Sequence, residues 1–199
     1  MMLTRRQWSV LTVGILAALG AAVVLTTDAP AGSASTFGEP PVRDCSTDAY
    51  GDLGRNWRQS ALHAGPVAFV GMRNGTRHVP AARPGRSWPL KILIVLEAKR
   101  AATVTIAARA RSVASLAYDQ AALRRVAADA GDHLPLSTGE PSVRFEACAR
   151  PHVGERWNRG TQFPGYFLVS GRRCVDIIVR VEGRPGPLLR TLRFGRTRC

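Results

Sequence analysis

The stretch "KILIVLEA" (91–98) is apolar without a break from Ile92 to Leu96, as expected of a central strand buried on both faces. Elsewhere the chain alternates. In "ATVTIAAR" (102–109), Val104, Ile106 and Ala108 share one face and Thr103, Thr105 and Arg109 the other. In "SVRFEACA" (142–149), Val143, Phe145 and Ala147 take the core side. In "CVDIIVRVEG" (174–183), Val175, Ile177, Val179 and Val181 do the same. A period of two is the mark of a strand with one wet face. "PVAFVGMR" (66–73), "VASLAY" (113–118), "GYFLVSG" (165–171) and "LLRTLRFG" (188–195) complete eight candidate strands. "PGRSWP" (84–89) reads as a turn cluster, and Gly171-Arg172-Arg173 and "GRPG" (183–186) as tight strand connections. The pattern predicts an all-β fold: an antiparallel β-sandwich, immunoglobulin-like in general architecture. Two segments carry helical spacing. "DLGRNWRQSALHAG" (52–65) ends at Gly65-Pro66, and "YDQAALRRVAADAGD" (118–132) opens on Asp119 as an N-cap.

The N-terminus departs from this pattern. Arg5 and Arg6 precede an uncharged run from Trp8 to Thr27. That run suits a helix spanning a bilayer, which needs about 20 residues. It exceeds a secretory apolar region of about 7–15. Residues 1–27 are therefore expected to be a cytoplasmic tip with a transmembrane anchor or signal segment, Arg5 and Arg6 staying inside. Ala29, Ala31 and Ser33 to Ser35 suit cleavage, and "TRRQW" also fits a twin-arginine signal. Residues 28–43, rich in Ala, Ser, Gly and Pro, read as a flexible linker. Residues 44–199 form the extracytoplasmic domain. The expected location is the cell membrane, single-pass with the domain outside, or outside the cell after cleavage.

An exported domain changes the meaning of its cysteines. Cys45, Cys148, Cys174 and Cys199 are an even set, which suits two disulfides and allows three pairings. Cys148 has the parity of Arg144 and Glu146, and Cys174 that of Asp176 and Arg180, so both point away from the core. On adjacent strands they would lie within bonding reach. The expected pairs are Cys148–Cys174 and Cys45–Cys199. Cys148-x3-His152 as half of a metal site lacks further ligands, since His63, His78 and His133 are isolated in sequence. No metal or cofactor is expected.

Catalytic patterns are weak. There is no G-x-S-x-G elbow, and Ser170 lies in the "LVSGR" turn. Asp132 and His133 are adjacent, but a triad is a spatial arrangement. No phosphate loop, dinucleotide fingerprint or glycosidase-like carboxylate pair stands out. Trp88, Trp157 and Tyr166, in or beside predicted loops, are the candidate binding surface. Of the 28 basic residues only Lys91 and Lys99 are lysines, and the formal net charge is +14. Such a charge attracts polyanions. The scatter of arginines, with no basic block, argues against a nucleic-acid tail.

"AGPVAFVG", "KILIVLEAKRAATVTI", "LAYD", "GEPSVRFEAC", a tryptophan before "FPGYFLVSGRRCVDIIV", and the closing "FGRTRC" together resemble a set of secreted or membrane-anchored proteins of high-GC Gram-positive bacteria. The likeness spans most of residues 64–199. It implies export and a framework of Cys148, Cys174 and Cys199, and carries no catalytic residue. The expected function is a non-catalytic cell-envelope interaction module. It would be held to the membrane by the N-terminal helix and would engage an envelope protein or an anionic polymer. The alternatives are a basic polyanion-binding domain (anionic lipid, wall polymer or nucleic acid) and, lower, a secreted hydrolase of unrecognised type.

Overall fold

The alternation along the chain becomes strands in the computed structural model, which describes residues 38–49, 53–54, 56–76, 78–81, 84–129, 133–149 and 160–199. Among them run β1 (Val42–Arg43), α1 (Trp57–Ser60), β2 (Leu62–Ala64), β3 (Val67–Phe69), β4 (Trp88–Lys91), β5 (Ile94–Glu97), β6 (Ala101–Ile106), β7 (Ala114–Ala117), α2 (Gln120–Ala128), β8 (Ser142–Glu146), β9 (Gly160–Phe163), β10 (Tyr166–Val169), β11 (Arg173–Val181) and β12 (Leu188–Phe194). They form three sheets, in the orders β1-β8-β6-β11-β12, β4-β10-β7 and β2-β3-β5-β9. Every pairing is antiparallel except β1 on β8. The run from Trp8 to Thr27, with Arg5 and Arg6, lies outside the described residues, as do residues 28–37. Among the described residues no helix is long and apolar enough to cross a membrane.

One core is shared by all three sheets. The five-stranded sheet contributes Val104, Ile106, Val143, Phe145, Val175, Ile177 and Val179, the inward parity read from the sequence, together with Leu192 and Phe194 of β12; Ala108, read on the same face, is exposed because the chain turns after β6. Phe69, Ile94, Leu96, Phe163, Leu116, Phe167 and Val169 come from the other two. Those two sheets are covered on both sides. Ala117 and Leu168 pack with Ala122 and Val126 of α2. Ala68 and Val95 pack with Trp57 of α1. Double coverage explains the unbroken apolar run, since Ile94, Val95 and Leu96 are all buried.

Several expectations change. Of the helix read over 52–65 the described residues hold α1 alone, and Leu62 to Ala64 extend as β2. Gly65, at φ +61°, turns β2 back onto β3, so pairing replaces helix. Residues 118–132 do hold a helix, α2, with the Asp119 carboxylate accepting from Ala122 N at 2.8 Å. The "PGRSWP" cluster runs into β4. Pro89 is tolerated because β4 is an edge strand. The Gly171-Arg172-Arg173 connection is a corner rather than a hairpin, because β10 and β11 belong to different sheets. Val42 and Arg43, the last residues of the segment read as linker, form β1.

The outer face of the five-stranded sheet is polar. Asp176 accepts from the Thr191 hydroxyl at 2.6 Å and pairs with Arg109 at 2.5 Å. The Thr191 hydrogen bond first, then Arg109, holds its carboxyl below the ordinary value. A depressed folded pKa contributes stability in full above the unfolded value of about 3.9 and loses it as pH falls through the folded value. Thr191→Val should therefore cost stability at neutral pH, and its deficit should shrink as pH drops below about 4. Thermal melts across pH check this. A deficit constant with pH would mean the hydroxyl does not act through Asp176.

Candidate functional site

The disulfides are Cys45–Cys148 and Cys174–Cys199, which corrects the expected Cys148–Cys174 and Cys45–Cys199. β6 lies between β8 and β11. Two strand spacings put those strands roughly 10 Å apart, beyond the Cα separation of about 7 Å that a disulfide bridges. Cys45 reaches Cys148 because β1 runs parallel to β8, with Arg43 opposite Phe145. Each cysteine then lies two or three residues past a paired position. Asp48 stands beside this bond, its carboxylate and both sulfurs within 4.8 Å of one another. Bonded sulfurs offer no thiolate to a metal. His152 lies outside the described residues.

Arg43 secures the same segment. It is 1% exposed, donates to Tyr118 O and Thr47 O at 2.5 Å each, and sits 6.0 Å above the Phe163 ring. Burial lowers its pKa, with Asp119 the largest opposing influence. An arginine so enclosed fastens backbone to backbone and presents nothing to solvent, which makes it structural.

The aromatic candidates do not form one patch. Trp88 is opposite Val169, and Tyr166 is opposite Lys91, in the β4–β10 pair. Odd spacing along β10 puts them on opposite faces of that sheet. Trp88 stacks edge-on against His133, ring centroids 4.2 Å apart. Tyr166 packs onto the α2 cluster. Trp157 and Asp132 lie outside the described residues, so the Asp132–His133 pairing has no geometry here.

The chemistry concentrates instead where β12 ends. From Gly183 to Cys199 the chain carries five arginines and no acidic residue. Three of them, Arg193, Arg196 and Arg198, line a cleft of about 530 Å³ with Asn74, Thr76 and Thr197. The cleft is fixed from several sides. Thr76 N donates to Arg193 O at 3.0 Å, and Gly195 N to Thr76 O at 2.9 Å. The Arg193 guanidinium donates to Asn74 O. Gly75, at φ +71°, has no room for a side chain, since a Cβ would sit 2.5 Å from Arg193 O. Gly195, at φ +82°, turns the tail past Arg172, and Cys199 is bonded to Cys174. Three guanidiniums and two hydroxyls line it with no carboxylate among them, a charge balance that favours an anion. The lining holds no imidazole either.

At the opposite end of the same sheet, the cleft around Lys99, Arg100 and Arg144 contains Glu146 and Glu182. Arg144 bonds both, at 2.8 and 2.9 Å. Its charge is satisfied within the protein, which separates it from the Arg193 cleft. Sequence reading passed over Arg193, Arg196 and Arg198. Their acid-free run was the available signal.

Fold and cleft together describe a disulfide-bonded, β-rich domain with an arginine-lined cleft. The chain matches no family model, no curated protein and no solved structure.

Proposed function

We propose that the chain is a non-catalytic extracytoplasmic binding module, an immunoglobulin-like β-sandwich that holds a phosphate-bearing polymer of the cell envelope in the Arg193–Arg198 cleft. The carboxylate-free lining of that cleft carries the reading. Two disulfides support an oxidising location outside the cytoplasm, on a membrane anchor or after signal cleavage at 1–27. The single core between the five-stranded sheet and the other two supports the sandwich. A polymer with repeated phosphates suits three cations spaced along a short tail, because each contact releases counterions.

Inorganic polyphosphate is the probe, with neutral dextran as control and anionic vesicles and DNA as comparators. The full chain should bind polyphosphate more tightly than dextran, with affinity falling steeply as salt rises. The triple variant Arg193→Gln, Arg196→Gln, Arg198→Gln should flatten the log–log salt slope by about 2–3, as three lost phosphate contacts require. Equal binding to polyphosphate and dextran at low salt would rule out the polymer. An unchanged slope would place the contacts elsewhere.

A further inference from the structure

We propose a second, separate anion site: a pocket at the start of β11 that takes a phosphate monoester of a small organic group. Arg173 opens β11 with the parity of Val175 and Ile177, which puts its side chain on the core side. Its Nε is out of solvent without a hydrogen-bond partner, and the side chain makes no ion pair among the described residues. Arg173 as a whole is half-buried, and an unmatched donor held out of water is costly. Arg43 Nε also lacks a partner, so what sets Arg173 apart is the pocket that it lines.

The space it faces is a pocket of about 490 Å³, shared with Arg86, Ser112, Ser170, Val113 and Leu136. No carboxylate lines it. Arg86 donates from Nη1 to His133 O at 3.3 Å, which aims the guanidinium while leaving its other donors for a ligand. Ser170 N donates to Val113 O at 2.9 Å, fixing the wall where the chain crosses from β10 to β11. Two guanidiniums and two hydroxyls match the oxygens of a phosphate. Val113 and Leu136 supply an apolar wall for the organic substituent. Ser170 has no imidazole or carboxylate beside it in this lining, so the pocket binds the ester without cleaving it. This site does not depend on the Arg193 cleft.

Phenyl phosphate is the probe, titrated into the full chain by calorimetry, with phenol and inorganic phosphate alongside. Saturable binding is expected, stronger than that of phenol and displaced by inorganic phosphate. Arg173→Gln and Arg86→Gln should each weaken it about tenfold, as loss of a charge-assisted hydrogen bond implies. The Arg193, Arg196, Arg198 triple variant should bind phenyl phosphate like the parent. Binding equal to phenol, no displacement by phosphate, or retention in Arg86→Gln would overturn the site. So would loss in the triple variant alone. Arg86 is exposed, so its variant keeps the test decisive should Arg173→Gln fail to fold.

Discussion

Replacing Cys45 and Cys148 together by alanine is expected to lower stability by about 4–5 kcal/mol, and replacing Cys174 and Cys199 by about 3–4 kcal/mol. The difference comes from the loops they close, with sequence separations of 103 and 25 residues. A cross-link removes conformations from the unfolded chain, and it removes more when the loop is long. The first bond also holds β1 in place, so its loss frees Arg43 from the pocket between Tyr118 O and Thr47 O. Denaturant unfolding of the two double variants under non-reducing conditions checks the order. If the Cys174–Cys199 variant proves the less stable, the loop argument fails and local strain or packing must dominate.

Gly165→Ala is the second large effect. A Cβ at this position would lie 2.2 Å from Cδ1 and 2.5 Å from Cε1 of Tyr118. The ring has little room to retreat. Its hydroxyl donates to Ile92 O at 2.6 Å, and it packs edge-on against Phe145 and Phe167 with centroids 5.5 and 5.9 Å away. Gly165 is held too, because its carbonyl accepts from Ile92 N at 3.0 Å. One methyl group should therefore cost about 3 kcal/mol or more, the upper end of overpacking penalties. The measurement is a double-mutant cycle with Tyr118→Leu, which removes the ring from the clash. Gly165→Ala should cost far less in that background. An equal cost in both would show that Tyr118 is not what makes the position intolerant.

The parts of the fold that could be read from the chain are those where water wets one face. β6, β8 and β11 belong to a sheet with one open side, so their inward residues alternate with Thr103, Arg144 and Asp176. β2, β4 and β9 were missed because their environments erase that signal. β4 holds Pro89 at an edge. β9 buries Thr161 and Gln162 as well as Phe163. Cys174 has the outward parity read for it, whereas Cys148 is 5% exposed and lies past the end of β8, so only one of the two was legible. The strand between them was not, because periodicity within a strand says nothing about its neighbours. The Arg193 cleft has the same limit. Its cations lie within six residues of one another, whereas Thr76 joins them across a separation of 119 residues. Arg43 carried no signal at all, since a cation in a Pro-rich stretch reads as exposed.

The sequential pairing of the cysteines has a mechanical consequence. Tension between Cys45 and Cys199 does not run along the whole backbone. It crosses to Cys148 through the first bond, follows the chain to Cys174, and leaves through the second. Residues 46–147 and 175–198 are shunted out of the load path. The domain would stretch only over the stretch from 148 to 174, and the Arg193 cleft would part under the pull, because Arg193, Arg196 and Arg198 lie in one covalent loop and Asn74 and Thr76 in the other.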